Sequence, residues 1–314
     1  MECTDPLVSV VIPTRNRPDL VVRAAHSALK QSLDKIEVII VLDGPDKATL
    51  QVLHQIDDPR LRLRTLPQNL GVSNARNAGV SEARSQWIAF LDDDDEWFPQ
   101  KIEIQLQAAR ESNYLYPIIS CRVIARSEMN DFIWPRRFPR PNELLSEYMF
   151  CRKSPFFGEG IVPFNTVFTT KELLQMVPFK SGLRNHEDLD WLLRVSALEG
   201  VGVEFVARTE PLVIWHIEEN LSRKSNRTDW CHSLAWIQTN KHLVTRRAYA
   251  SFIMTWLGLH AARQRNWKAF LPLIYEACQH GKPAIIDFLS YFGIWLIPQK
   301  IKRQMVALLS KRYL

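Results

Sequence analysis

QWIAFLDDDD, residues 86–95, is the stretch from which the fold can be read. Gln86–Leu91 has the length and apolar content of a buried strand, and it ends in four successive carboxylates, Asp92 to Asp95. The upstream runs have the same layout. Leu7–Thr14 (LVSVVIPT) is nearly all apolar, as expected of a strand covered on both faces of a parallel sheet. Pro18 then stands where a helix begins, and Leu20, Val21, Ala24, Ala25, Ala28 and Leu29 recur at helical spacing. Ile36–Leu42 (IEVIIVL) is a second strand, closed by the turn signal of Asp43, Gly44 and Pro45. A helix near Asp46–Ile56, a strand at Leu61–Leu66 and a helix from Val72 to about Arg84 complete the approach to residue 86.

Strands and helices alternating over short connections make βαβ units and a parallel sheet. Ligands of such sheets bind beyond the carboxyl ends of the strands. Three strand ends are therefore the places to search: residues 13–17 (PTRNR), residues 43–44 and the acidic run.

The chain has 314 residues, 46% hydrophobic and 24% charged, which excludes a disordered or low-complexity protein. Its five cysteines are scattered and never form C-x-x-C, which argues against a disulfide framework or a zinc site and suits a reducing compartment. No apolar run is long enough to span a bilayer, and the N-terminus does not read as a secretory signal. The net charge of +6 hides a split. Residues 1–220 hold 25 Lys+Arg against 31 Asp+Glu, and residues 221–314 hold 15 against 3. From about Asp229 the chain is helical in pattern, Trp-containing and basic. The expected division is residues 1–225 and a helical region of residues 226–314.

Four adjacent carboxylates repel one another, and a hard divalent cation such as Mg²⁺ or Mn²⁺, sharing phosphate oxygens with a substrate, would make them tolerable. The plainer role is a solvated acidic turn; the position after a buried strand favours the cation. Asp43 either caps its turn or accepts from a nucleotide base or ribose. Arg15 and Arg17 can meet a diphosphate. Arg76 lies in the first turns of a helix, where backbone N–H groups favour an anion. Asp188, in the helix opened by residues 186–191 (HEDLDW), stands where a general base belongs, with Glu187 and Asp190 beside it. His216, after the apolar run Pro211–Trp215, is either a ligand or a structural histidine.

Together these segments resemble family-2 glycosyltransferases, which have the GT-A fold. The resemblance runs over about residues 7–222. It rests on VSVVIPTRNR (8–17), VIIVLDG (38–44), NLGVSNARN (69–77), FLDDDDEW (90–97) with Pro99, Glu187-Asp188, and NLSR (220–223). It implies a Rossmann-like, mostly parallel sheet flanked by helices, with the C-terminal helices appended. It also implies inverting, metal-dependent transfer of one sugar from a nucleoside-diphosphate sugar, UDP-sugars first, to a hydroxyl of a glycan or lipid-linked acceptor. By position, Pro13 and Arg15 would flank the base, Asp43 would hold the base or ribose, and Arg76 would approach the diphosphate. Asp92 and Asp94 match the family's D-x-D for the metal, Asp93 the ribose, Asp188 the base, and His216 a third metal or phosphate contact. Leu42 and Pro45 depart from the common D-D-G-S, and Arg15 stands where many members carry an aromatic. The absence of a Q-x-x-R-W motif argues against processive polymerisation.

Two other classes share some of these features. A sugar-nucleotide pyrophosphorylase would need a Gly- and Arg-rich loop after the first strand, which is absent. A nucleic-acid-binding module would use the basic C-terminal third; a nucleic-acid partner is not expected. That third suggests instead an anionic membrane surface, on the inner face of the cell membrane of a cytoplasmic enzyme. There an apolar stretch at residues 285–297, broken by Asp287, is followed by Lys300, Lys302, Arg303, Lys311 and Arg312 among Ile301, Met305, Val306, Leu308 and Leu309.

Overall fold

The computed structural model describes residues 5–127, 130–154, 158–206, 210–217 and 229–297. The NLSR segment at 220–223 and the basic tail beyond residue 297 lie outside the described residues.

The elements run β1 (Val8–Thr14), α1 (Pro18–Leu29), β2 (Ile36–Leu42), α2 (Lys47–Leu53), β3 (Leu61–Thr65), α3 (Val72–Glu82) and β4 (Trp87–Phe90). Then come β5 (Glu96–Trp97), α4 (Lys101–Glu111), β6 (Tyr116–Ser120), β7 (Val123–Arg126), β8 (Asp131–Trp134) and α5 (Leu145–Phe150). Next are β9 (Phe168–Thr170), α6 (Lys171–Met176), α7 (Glu187–Val195), β10 (Val201–Phe205) and β11 (Val213–His216). The helices α8 (Trp230–Thr239), α9 (Arg246–Ser251), α10 (Gly258–Arg263), α11 (Phe270–His280) and α12 (Ile285–Leu296) follow.

The chain packs as two compact units. The first is Met1–Phe138 with Ile161–Ser225; the second is Pro139–Gly160 with Asn226–Leu314. The second unit thus takes in the excursion carrying α5, which lies within the residues 1–225 expected from the sequence to form one domain.

In the first unit a seven-stranded sheet has the order β10-β6-β9-β4-β1-β2-β3. The β1, β2, β3 and β4 pairings are parallel, whereas β9 is antiparallel to both β4 and β6. β1 and β2 are buried at every residue, as the apolar runs predict for strands covered on both faces. Glu37 is the one charge inside β2, and it accepts from Ser9 Oγ at 2.6 Å, Arg62 Nη1 at 2.6 Å and the Arg84 backbone N–H at 2.7 Å. Thr14 pairs with Leu42, so the two central strands end level, and the Asp43 N–H donates to the Thr14 carbonyl at 2.9 Å. α3 lies on β1 at Gly79, where a Cβ would come within 2.4 Å of Val11 Cγ1. A second sheet, β5-β11-β7-β8, is mostly antiparallel and was not read from the sequence.

Beneath β5 lies a wholly buried lysine. Lys101 Nζ donates to Gln105 Oε1 at 2.5 Å and stands 3.8 Å from the centre of the Trp97 ring. Gln105 Nε2 in turn donates to the carbonyls of Ile119 and Thr166. Burial lowers the Lys101 pKa to about 7, while the Trp97 face pulls the other way by favouring the ammonium.

The second unit is helical. Tyr148, Phe150, Trp236, Tyr249, Phe252, Met254, Leu257, Leu273, Tyr291 and Trp295 are buried in it. Its polar anchor is Asp287, fully buried, which accepts from Arg247, from Ser251 Oγ at 2.7 Å and from the Ala284 N–H at 2.8 Å. No helix among the described residues is long and apolar enough to cross a membrane.

Lys101 gives a pH signature. Its folded pKa lies below the unfolded value of 10.5, so between pH 7 and 10.5 the unfolded chain holds a proton that the fold does not. Stability should therefore rise with pH in that window, by up to about 1.4 kcal/mol per pH unit. In Lys101→Met this contribution should vanish, as measured by the difference between wild-type and variant urea denaturation at a series of pH values. Parallel curves would show that Lys101 stays charged in the fold.

Candidate active site

The acidic run sits just past β4, at the carboxyl edge of the sheet, and every carboxylate in it accepts from at least one donor. Asp92 accepts from Arg76 Nη2 at 3.1 Å and keeps its side chain 26% exposed. Asp93 accepts from Thr14 Oγ1 at 2.8 Å and Arg17 Nη1 at 2.9 Å. Asp94, fully buried, accepts from the same Arg17 nitrogen at 3.1 Å, and its carbonyl accepts from Arg23. Asp95 faces inward, accepting from Asn165 Nδ2 at 2.6 Å and the His216 N–H at 3.0 Å. Burial raises the Asp93 pKa to about 6, with Arg17 opposing the shift.

Arg76 joins this turn to the α7 N-terminus. Nη1 donates to Asp188 while Nη2 donates to Asp92. The guanidinium is buried, its carbon 4.2 Å from the Phe164 ring centre and 5.6 Å from that of Phe179. Two carboxylates and two aromatic faces offset the cost of taking this charge out of water. Arg76 thus reaches the acidic turn with both terminal nitrogens already on carboxylates.

At the α7 N-terminus the neighbouring carboxyls differ. Asp188 is partly exposed beside Arg76. Burial and the adjacent Asp188 charge hold Glu187 well above the ordinary carboxylate range. Asp190 is buried between Lys180 Nζ at 3.0 Å and Arg194 Nε at 2.7 Å, a structural ion pair turned away from Asp188's role.

The other candidates lie on the same edge. Asp43 takes the N–H groups of Leu70 at 2.7 Å and Gly71 at 3.0 Å, fixing the loop ahead of α3, where Gly71 has φ +90. Arg15 is exposed and its Nη1 donates to the Asp43 carbonyl at 2.7 Å. Pro13 is buried within β1. His216 Nε2 is 2.8 Å from Glu96 Oε1, which leaves Nδ1 as the ring nitrogen for any metal contact. Among the described residues no group of three His, Cys, Asp or Glu is placed to hold a metal ion alone. A cation here would need oxygen ligands from its substrate, as Mg²⁺ and Mn²⁺ commonly take from phosphates. Asn165 and the Phe164–Phe179 cage carry no motif and were not found from sequence, and Thr14, inside the PTRNR segment, was given no role there.

A mostly parallel sheet interrupted by one antiparallel strand, with an acidic turn at its carboxyl edge, defines a GT-A glycosyltransferase. The description "Glycosyl transferase family 2" matches residues 9–169, just over half of the chain, and the chain belongs to that family. It is 29% identical over 278 residues to the succinoglycan biosynthesis protein ExoO of Rhizobium meliloti, covering 86% of this chain and 77% of that protein. It is 25% identical over 298 residues to the amylovoran biosynthesis glycosyltransferase AmsB of Erwinia amylovora, covering 90% and 89%. Its fold is similar to S. aureus TarS 1–349, solved in complex with UDP-GlcNAc, with TM-score 0.53, 15% identity, and 95% and 78% of the two chains covered.

The Arg76 bridge is measurable as energy. Arg76→Gln should cost about 1–3 kcal/mol in urea denaturation, because it takes the shared donor from two carboxylates that keep part of their hydration. With Asp92→Asn added, the double variant should lose less than the sum of the two single losses by about 1 kcal/mol or more. Additive losses would show that the bridge carries no coupling.

Proposed function

We propose that this chain transfers a single sugar from a nucleoside-diphosphate sugar to an acceptor hydroxyl, with inversion at the anomeric carbon. The observation that carries the reading is the Arg76 bridge, which sets the Asp188 carboxylate beside the acidic turn at the ligand-binding edge of the sheet. The UDP-GlcNAc complex of the TarS fold relative supports a UDP-sugar as the donor to try first. The names of ExoO and AmsB support an acceptor in polysaccharide assembly, either a glycan or a lipid-linked intermediate.

In this mechanism Asp188 accepts the proton of the acceptor hydroxyl as that oxygen bonds to the anomeric carbon. The bond from that carbon to the diphosphate oxygen breaks, and the nucleoside diphosphate leaves on the opposite face. General-base assistance of this kind is worth about 10²–10⁴ in rate. Arg76 holds Asp188 oriented through its hydrogen bond. Arg15 and Pro13, at the end of β1, take the base side of the donor, and Asp43 holds the loop against which the nucleotide lies. Asp93, gripped by Thr14 and Arg17, faces the ribose. The carboxylate oxygens suit a hard cation: Asp92 and Asp94 would hold Mn²⁺ or Mg²⁺, with His216 as the third candidate contact, and the ion would supply charge neutralisation on the diphosphate. The chemistry resides in residues 1–225, with residues 226–314 as the helical region, in a cytoplasmic enzyme working at the inner membrane face.

Glu187, whose pKa burial raises to about 7, is the second reading for the base. Asp188→Asn should keep donor affinity and lose at least about two decades of transfer rate, measured with radiolabelled donor. If Glu187→Gln shows that loss and Asp188→Asn does not, the base is Glu187. Asp94→Asn should weaken divalent-dependent donor binding in calorimetry while the fold survives. Donor affinity indifferent both to this change and to chelator would remove the cation from the mechanism.

A further inference from the structure

Two helices of the second unit leave apolar stripes in solvent. On α12, Ile285, Leu289, Phe292 and Leu296 follow one another at four-, three- and four-residue steps, one face of a helix. They are 79%, 65%, 41% and 63% exposed, while Asp287, Tyr291 and Trp295 on another face are buried. On α11, Leu271 and Tyr275, four residues apart, are 71% and 65% exposed. Rings tie the two elements together: Phe270 stands 6.1 Å from Phe292, and Trp267, itself mostly exposed, 5.0 Å from Trp295. Scattered exposed leucines need no explanation, but aligned stripes on joined helices mark a binding surface.

The charge around this surface has one sign. Arg263, Arg265, Lys268 and Lys282 are exposed in the segments that lead into α11 and α12. Residues 229–297 contain only three carboxylates, Asp229, Glu276 and Asp287. Asp229 caps α8, Glu276 accepts from Tyr249 and Gln238, and Asp287 is buried on Arg247. Residues 298–314 add five Lys+Arg and no acid. A second copy, or the chain's own residues 298–314, would bring cations onto a cationic rim, which is unfavourable. An anionic bilayer face satisfies both features, since apolar side chains enter the headgroup boundary and cations meet lipid phosphates.

We propose that the exposed face of α11 and α12 docks this protein on an anionic lipid bilayer. This does not depend on the transfer reading, because none of these residues belongs to the acidic turn or to α7. The test is co-sedimentation of the full chain with vesicles of phosphatidylcholine alone and of phosphatidylcholine with phosphatidylglycerol. Wild type should pellet with the anionic vesicles only and be released by high salt. Leu271→Ser and Leu289→Ser should each weaken binding about tenfold with unchanged thermal unfolding, since both side chains already lie in water. Three results would overturn the proposal. One is absence of binding to either vesicle. Another is binding that ignores both leucines and disappears in Lys300→Gln/Lys302→Gln/Arg303→Gln. The third is a concentration-dependent dimer, seen by light scattering, that the leucine changes dissolve.

Discussion

Repulsion among four consecutive carboxylates is the constraint around which the first unit is built. A strand that ends in Asp92–Asp95 must bring hydrogen-bond donors to each of these residues, and those donors come from five parts of the chain. The segment after β1 supplies Arg17, α1 supplies Arg23, α3 supplies Arg76, the turn before β9 supplies Asn165, and β11 supplies the His216 N–H. A buried layer then fixes the turn from below. The Asn165 carbonyl accepts from Trp97 Nε1 at 2.9 Å, and the Trp97 ring lies against Lys101. The acidic turn organises the unit as well as serving the candidate chemistry.

The central sheet was legible because parallel strands covered on both faces leave continuous apolar runs, as in β1 and β2. Strand ends, and with them the position of Asp43 and the acidic run, followed from the same runs. The second sheet and β9 were not legible. β9 has three residues, β5 has two, and their partners are far away in sequence, so neither periodicity nor length marks them. The excursion that joins α5 to the second unit depends likewise on long-range packing.

Within the site, residue type was legible and partnership was not. The motif around Arg76 says that an arginine opens α3; it does not say that Phe164 and Phe179, some 90 and 100 residues further on, enclose it. The run at 187–190 offers three carboxyls in one turn, and only the fold separates them. Asp190 is neutralised by Lys180 and Arg194, Glu187 is driven toward its acid form, and Asp188 is held by Arg76.

The sharing of Arg76 between Asp92 and Asp188 also limits how such a site can be altered over generations. A planar fork spans two acceptors at once, and a lysine at the same place offers only a point charge. Positions 76, 92 and 188 therefore behave as one inherited unit: an isolated replacement at any of them disturbs both ends of the cleft, and paired replacements must arise together. Divergence toward new sugars is left to surfaces that none of the three touches.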